Sequence, residues 1–188
     1  MSAPHLAEWL ALVLRWFHLV TGAAWIGASF YFIWLNNHVR PLETEDPDPA
    51  VKAEVFAIHG GAFYRVSKYG GAPGKLPKVL HWFKWEAYLT WTTGFLLLAL
   101  TYWHDAKAMM MGGTVGLGAV QSVGVGVATL VVGWLAYDVA CRFLAKQAMV
   151  LAVGGFAGFT ALAWGLYQLL SPRAATMHLG AMIGTIMA

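Results

Sequence analysis

The chain has 188 residues, of which 59% are hydrophobic and 11% charged, with a formal net charge of +3. A soluble domain carries roughly 25% charged residues, and so small and scattered a positive charge excludes nucleic acid as a partner. The apolar residues gather in long blocks, which points to an all-α, polytopic membrane helical bundle with the lipid bilayer as its solvent.

The 10 Trp and 7 Tyr fit that class, several standing near block ends, as amphipathic rings do at headgroup depth. The single cysteine, Cys141, excludes an internal disulfide and any Cys-x-x-Cys-His attachment of haem c on this chain.

Span one is expected over about residues 8–35. Its sequence, EWLALVLRWFHLVTGAAWIGASFYFIWL, is long enough to cross a hydrocarbon core of ~30 Å. It lacks a basic leader and holds Arg15 and His18, so it is a span and not a signal peptide. A loop over residues 36–80 follows. Its PLETEDPDP stretch argues against helix, and HGGAFYRVSKYGGAPGKLP is turn-rich, with aromatics between basic residues that suit the membrane face.

Span two is expected over 81–103, span three over 120–139 and span four over 148–170, with a short basic link from Cys141 to Gln147. Ser171-Pro172-Arg173 punctuates the chain, because proline cannot continue the preceding helix. A fifth stretch over 174–188 is short for a crossing, so the expectation is four full spans plus a fifth, partial or truncated one, in a single membrane domain over 1–188. Arg40, Lys52, Arg65, Lys68, Lys75 and Lys78 lie between spans one and two, and Arg142 and Lys146 follow span three. Only Lys107 and Arg173 fall on the other side. The asymmetry puts loop 36–80 in the cytoplasm and the N-terminus outside.

An ionisable residue at membrane depth costs about 2.5–3.5 kcal/mol by insertion scales, so each one needs a reason. Arg15, His18, Gly22, Trp25 and Ser29 recur at steps of three or four and share one helical stripe. A neutral imidazole facing the gap at Gly22 suits an axial ligand of haem iron, with Arg15 placed for a propionate; the plainer reading has His18 hydrogen-bonding a neighbouring helix. His178 enters from the same outer side, so His18 and His178 together are candidate metal ligands that clamp a haem b. The alternative makes His178 a boundary histidine. In HWFKWEAY, Lys84 is explained by snorkelling, whereas Glu86 needs a cation or a proton-carrying role. His59-Gly60-Gly61 reads as a turn, or as a segment folding back to close a site.

RWFHLVTGAAWIGASFYFIWLNN, HGGAFYRVSKY, LHWFKWEAYLTWTTGFLL and MHLGAMIGTIMA together resemble the N-terminal membrane domain of the bacterial membrane-bound urate oxidase (urate hydroxylase) family. Span one is more distantly similar to the membrane protoporphyrinogen oxidase of haem biosynthesis, in which an Arg/Lys–x–x–His pattern sits near a b-type haem. The resemblance implies a helical bundle in the bacterial inner membrane that oxidises urate to 5-hydroxyisourate, with electrons passing to a cytochrome c domain. This chain has no Cys-x-x-Cys-His, so the acceptor would be a cytochrome c domain elsewhere or a separate cytochrome c.

The matching residues imply haem b held by His18 and His178 with Arg15, Gly22 and Trp25 around it, and His59, His81, Lys84 and Glu86 as a catalytic, cytoplasmic-side polar group for urate or a related purine. Two other classes stay open: an accessory haem-binding or structural subunit of a larger respiratory or photosynthetic complex, and a small-molecule or proton transporter using Lys84 and Glu86.

Overall fold

A computed structural model describes residues 3–44, 46, 48–74 and 76–188. Glu45 and Pro47 of the PLETEDPDP stretch, and Lys75 of the basic set expected in the cytoplasm, lie outside the described residues. The chain is mostly helical: α1 (Ala3–His38), α2 (Lys84–Leu98) running on into a π-helical turn (Ala99–Trp103), α3 (Ala106–Met109), α4 (Ala119–Leu144), α5 (Ala148–Leu169) and α6 (Pro172–Met187). Three of these, α1, α4 and α5, are long and apolar enough to cross a membrane by length and composition. Where four full spans were expected, the region of span two is a 15-residue α-helix closed by a 5-residue π turn, and α6 has 16 residues.

The all-α expectation is corrected by three strands, β1 (Arg40–Pro41), β2 (Val51–His59) and β3 (Ala62–Tyr69), which form one antiparallel sheet in the order β1-β2-β3. VKAEVFAIH and AFYRVSKY are rich in β-branched and aromatic residues, the composition of strands. Gly60 and Gly61 join them at φ 58° and 80°, and positive φ at both central residues is what a type I′ hairpin turn requires. The glycines that look like chain-breakers therefore organise a hairpin. A second correction concerns the Cys141–Gln147 link: α4 continues through Cys141 and Arg142 to Leu144. Arg142 pairs with Asp138 at 2.8 Å, one turn back on that helix.

The chain divides into two compact units, residues 1–22 with 84–188, and residues 23–83. In the first, the core gathers Leu98 and Tyr102 from the α2–π run, Met110, Leu130 of α4, Leu166 and Leu170 at the end of α5, and Ala174, Ala175 and Leu179 of α6. Ser171 fixes the joint between α5 and α6. Its Oγ accepts from the Ala174 amide at 3.2 Å as an N-cap and donates to the Met109 carbonyl at 2.7 Å. Its own amide reaches the Met110 carbonyl at 2.9 Å, and Pro172 follows at the first helical position, where a missing N–H costs nothing. Helices α4 and α6 pack through small residues: a Cβ at Gly126 would meet the His178 ring, and one at Gly133 would meet Met182. Both partner numbers rise together, so the two helices run parallel.

In the second unit, the hairpin base is tied by Arg65, whose guanidinium bonds Glu54 on the paired strand and Asp46 in the preceding loop. Lys68 reaches the Asn36 side chain at 3.0 Å.

Candidate functional site

His18 stands half-buried on α1 and faces α2. Its Nδ1 lies 3.0 Å from the Thr90 carbonyl and 3.2 Å from Thr93 Oγ1. A carbonyl only accepts, so Nδ1 carries the proton, and in that tautomer of the imidazole the lone pair is on Nε2. The ring lies over Gly94, where a Cβ would come within 2.8 Å of Cε1. One turn on, Gly22 brings the helices together again, a Cβ there falling 3.7 Å from Thr90 Cγ2. Thr90 and Thr93 turn their hydroxyls back onto the Glu86 and Leu89 carbonyls, each at 2.7 Å. Arg15, one turn before His18, is exposed and makes no ion pair among the described residues. Trp25 and Ser29, expected on the same stripe, belong to the other unit, where Ser29 donates to the Trp25 carbonyl at 2.9 Å.

His178 has a different environment. It is fully buried, its Nδ1 lying 2.8 Å from the Ala174 carbonyl and its Nε2 accepting from the Trp103 indole N–H at 3.0 Å. Tyr102 meets the ring edge-on with centroids 6.2 Å apart. On α4, a Cβ at Gly126 would sit 2.5 Å from Nε2. Both ring nitrogens are therefore committed.

The structure does not bring the two histidines together. Trp91 donates to Thr185 Oγ1 at 3.0 Å, and Trp103 donates to His178, so α2 and α6 run antiparallel. His18, on Thr90 and Gly94, stands at the Thr185 end of that contact, and His178 at the opposite end. Gly94 and Trp103 are separated by about 13 Å of helix at the usual rise, whereas two imidazoles on one metal have Nε2 atoms about 4 Å apart, twice a ~2 Å metal–nitrogen bond.

A metal-ligating histidine characteristically donates its other N–H to a carbonyl or carboxylate. His18 meets that test, with no hydrogen bond to Nε2 from any described residue. His178 meets the first half only, because Trp103 holds its Nε2. No group of three or more His, Cys, Asp or Glu able to hold a metal occurs among the described residues.

Of the polar set, His59 is exposed at the hairpin turn, and His81 precedes α2 with its ring edge-on to Phe83, centroids 4.5 Å apart. Lys84 and Glu86 occupy the first turn of α2. The Lys84 ammonium lies 5.6 Å from the Trp85 ring centroid, and Glu86 is half-buried. An open cleft of about 440 Å³ between α2 and α6 is lined by Tyr88, Trp91, Thr92, Thr185 and Ala188.

The sequence reading did not single out Gly94, Trp103 or Gly126. Gly94 had a signal, since Glu86, Thr90 and Gly94 recur at four-residue steps on one face. Trp103 and Gly126 had none, because their importance lies in a partner 75 residues away in one case and on another helix in the other. Arg65 also went unassigned. The Asp48 backbone N–H, and next the hydrogen bond from Arg65, hold the Asp46 carboxyl below the usual range, and the hydrogen bonds to Glu54 and Asp46 raise the guanidinium above its ordinary value.

Three apolar helices long enough to cross a membrane, with His18 seated against α2 and His178 buried in the core, are consistent with a helical membrane protein. The chain belongs to the urate oxidase N-terminal family, whose model matches residues 4–188. Neither the curated proteins nor the solved structures compared with it give a match.

Proposed function

We propose that the chain is the membrane-embedded domain of a urate-oxidising electron-transfer enzyme of the bacterial cytoplasmic membrane, and that it carries haem b on His18. The urate half of this reading rests on the family match over residues 4–188. The cofactor half rests on one observation, the His18 ring whose Nδ1 is anchored 3.0 Å from the Thr90 carbonyl with its Nε2 lone pair directed elsewhere. Arg15, one turn away and exposed, is the cation for a propionate. Bound there, the haem supplies one-electron redox chemistry.

The overall reaction converts urate and water to 5-hydroxyisourate with release of two electrons and two protons, the electrons leaving toward a cytochrome c on another domain or chain. Lys84 orients the urate anion by charge-assisted hydrogen bonding. Glu86, in the first turn of α2, accepts a proton. His59 and His81 are the further candidate acid–base groups, imidazoles able to take up and pass on a proton.

The test is an absorption spectrum of the full-length protein in mild detergent, oxidised and dithionite-reduced, then with urate as the reductant. The expected result is a b-type spectrum that urate reduces as 5-hydroxyisourate appears, and its loss in His18→Gln. A haem signal indifferent to urate would sink the substrate half, and a haem-free protein would sink the cofactor half.

A further inference from the structure

Two histidines inside one helical unit invite the assumption that both hold one iron. We infer instead that His18 alone of the pair is offered to a cofactor, and that His178 is withheld by Trp103 as the pin joining the π turn, α6 and α4. The first clause rests on the haem reading above; the second does not.

Three independent features of the His178 site carry this. The first is valence. The ring donates at Nδ1 to Ala174 and accepts at Nε2 from Trp103, so taking up a metal would strand the indole N–H in a fully buried setting, where an unmade hydrogen bond is most costly. The second is space. The α4 backbone at Gly126 comes so close that even a methyl there would lie 2.5 Å from Nε2, and Met110, itself fully buried, closes the same side. The third is register. The amide of His104 bonds the Ala99 carbonyl at 2.9 Å, an i→i+5 step that inserts one extra residue into the turn. Without it Trp103 would be rotated by about 100° around the helix and would miss His178. A π turn is rare and often marks a functional element; here it delivers the indole to the imidazole.

His18 differs in the bonding of its Nε2 and in the space beside it. Its Nε2 accepts no hydrogen bond from a described residue. It is half-buried, and although Gly94 also packs closely on its ring, a Cβ there would stand 3.7 Å from Nε2, against 2.5 Å between Gly126 and the Nε2 of His178.

The experiment uses the full-length protein with its haem. It compares wild type, His18→Gln, His178→Gln (whose amide oxygen can still accept from Trp103) and Trp103→Phe. Haem per chain, the spin state of the ferric iron by electron paramagnetic resonance, and Tm are read for each. His178→Gln and Trp103→Phe are expected to keep wild-type haem content and g values while Tm falls by several degrees, and His18→Gln is expected to lose the haem. Loss of haem or altered g values in His178→Gln, with Trp103→Phe unchanged, would overturn the inference.

A nitrogen-15 spectrum of the histidines covers the case in which His178→Gln does not fold. His178 should appear as the Nδ1–H tautomer with a hydrogen-bonded Nε2 that shifts in Trp103→Phe. Absence of that signature would overturn the pin. If the wild type takes up no haem, the cofactor proposal fails, and the pin is still decided by this spectrum.

Discussion

Gly94 on α2 lies so close under the His18 ring of α1 that a Cβ in its place would come within 2.8 Å of Cε1 and 3.2 Å of Nδ1. Glycine here is a matter of space, since the residue sits inside a regular helix. Gly94→Ala gains about 1 kcal/mol of helix propensity, but the ring must move off the Thr90 carbonyl, and overpacking costs about 1–3 kcal/mol. The expected outcome is a lower Tm together with reduced haem content, measured on purified protein. An unchanged haem content would show that the seat of His18 does not depend on this contact.

Two glycines on α4 make a paired test of packing. A Cβ at Gly126 strikes the His178 imidazole, a rigid ring bonded at both nitrogens, while a Cβ at Gly133 strikes the thioether of Met182. Methionine adapts through its rotatable bonds. Gly126→Ala is expected to cost about 1–3 kcal/mol, and Gly133→Ala less, with part of its cost offset by about 1 kcal/mol of propensity. Thermal unfolding of the two variants side by side checks the order, and equal losses would contradict it.

The hairpin turn sets a third expectation. Gly60 and Gly61 have φ of 58° and 80°, and no other atom lies within 4 Å of where a Cβ would stand at either. The penalty for substitution is therefore conformational, about 1–2 kcal/mol for a residue forced into the left-handed region. Gly61→Val should raise amide exchange across Val51–Tyr69, whereas Gly60→Asn, which type I′ turns accept, should leave it near wild type.

The Arg65 cluster predicts a pH dependence. Asp46 has its carboxyl lowered by the Asp48 backbone N–H first and by Arg65 next, so it binds fewer protons folded than unfolded near its unfolded value. The stabilisation is present above that value, about 4, and is lost as pH falls through the lower folded value. Arg65 is shifted upward, so its contribution persists throughout the neutral and acid range. Hydrogen exchange of β2 and β3 should accelerate as pH falls below about 4, after correction for intrinsic rates. Arg65→Gln should reduce that extra acceleration and leave the larger part, which the Asp48 backbone N–H supplies.

The sequence by itself determined the helical character and the approximate extents of α1, α4, α5 and α6, because long apolar runs and the Ser171-Pro172 cap are local signals that need no partner. It also placed His18 and Gly22 on one face, since helical periodicity alone decides that. The Gly60-Gly61 turn was legible, but the strands beside it were not. Their alternation is blurred by Ala53 and Ala57 on one side and by Phe56 and Ile58, both largely exposed, on the other, so pairing rather than a one-sided core defines them. Only tertiary structure decided that His18 bonds Thr90 of α2, that an extra residue in the π turn carries Trp103 to His178, and that Gly126 closes that site. Each of these joins residues far apart in sequence, and the energy that selects them comes from burial, close packing and satisfied hydrogen bonds across helices, which no local pattern encodes.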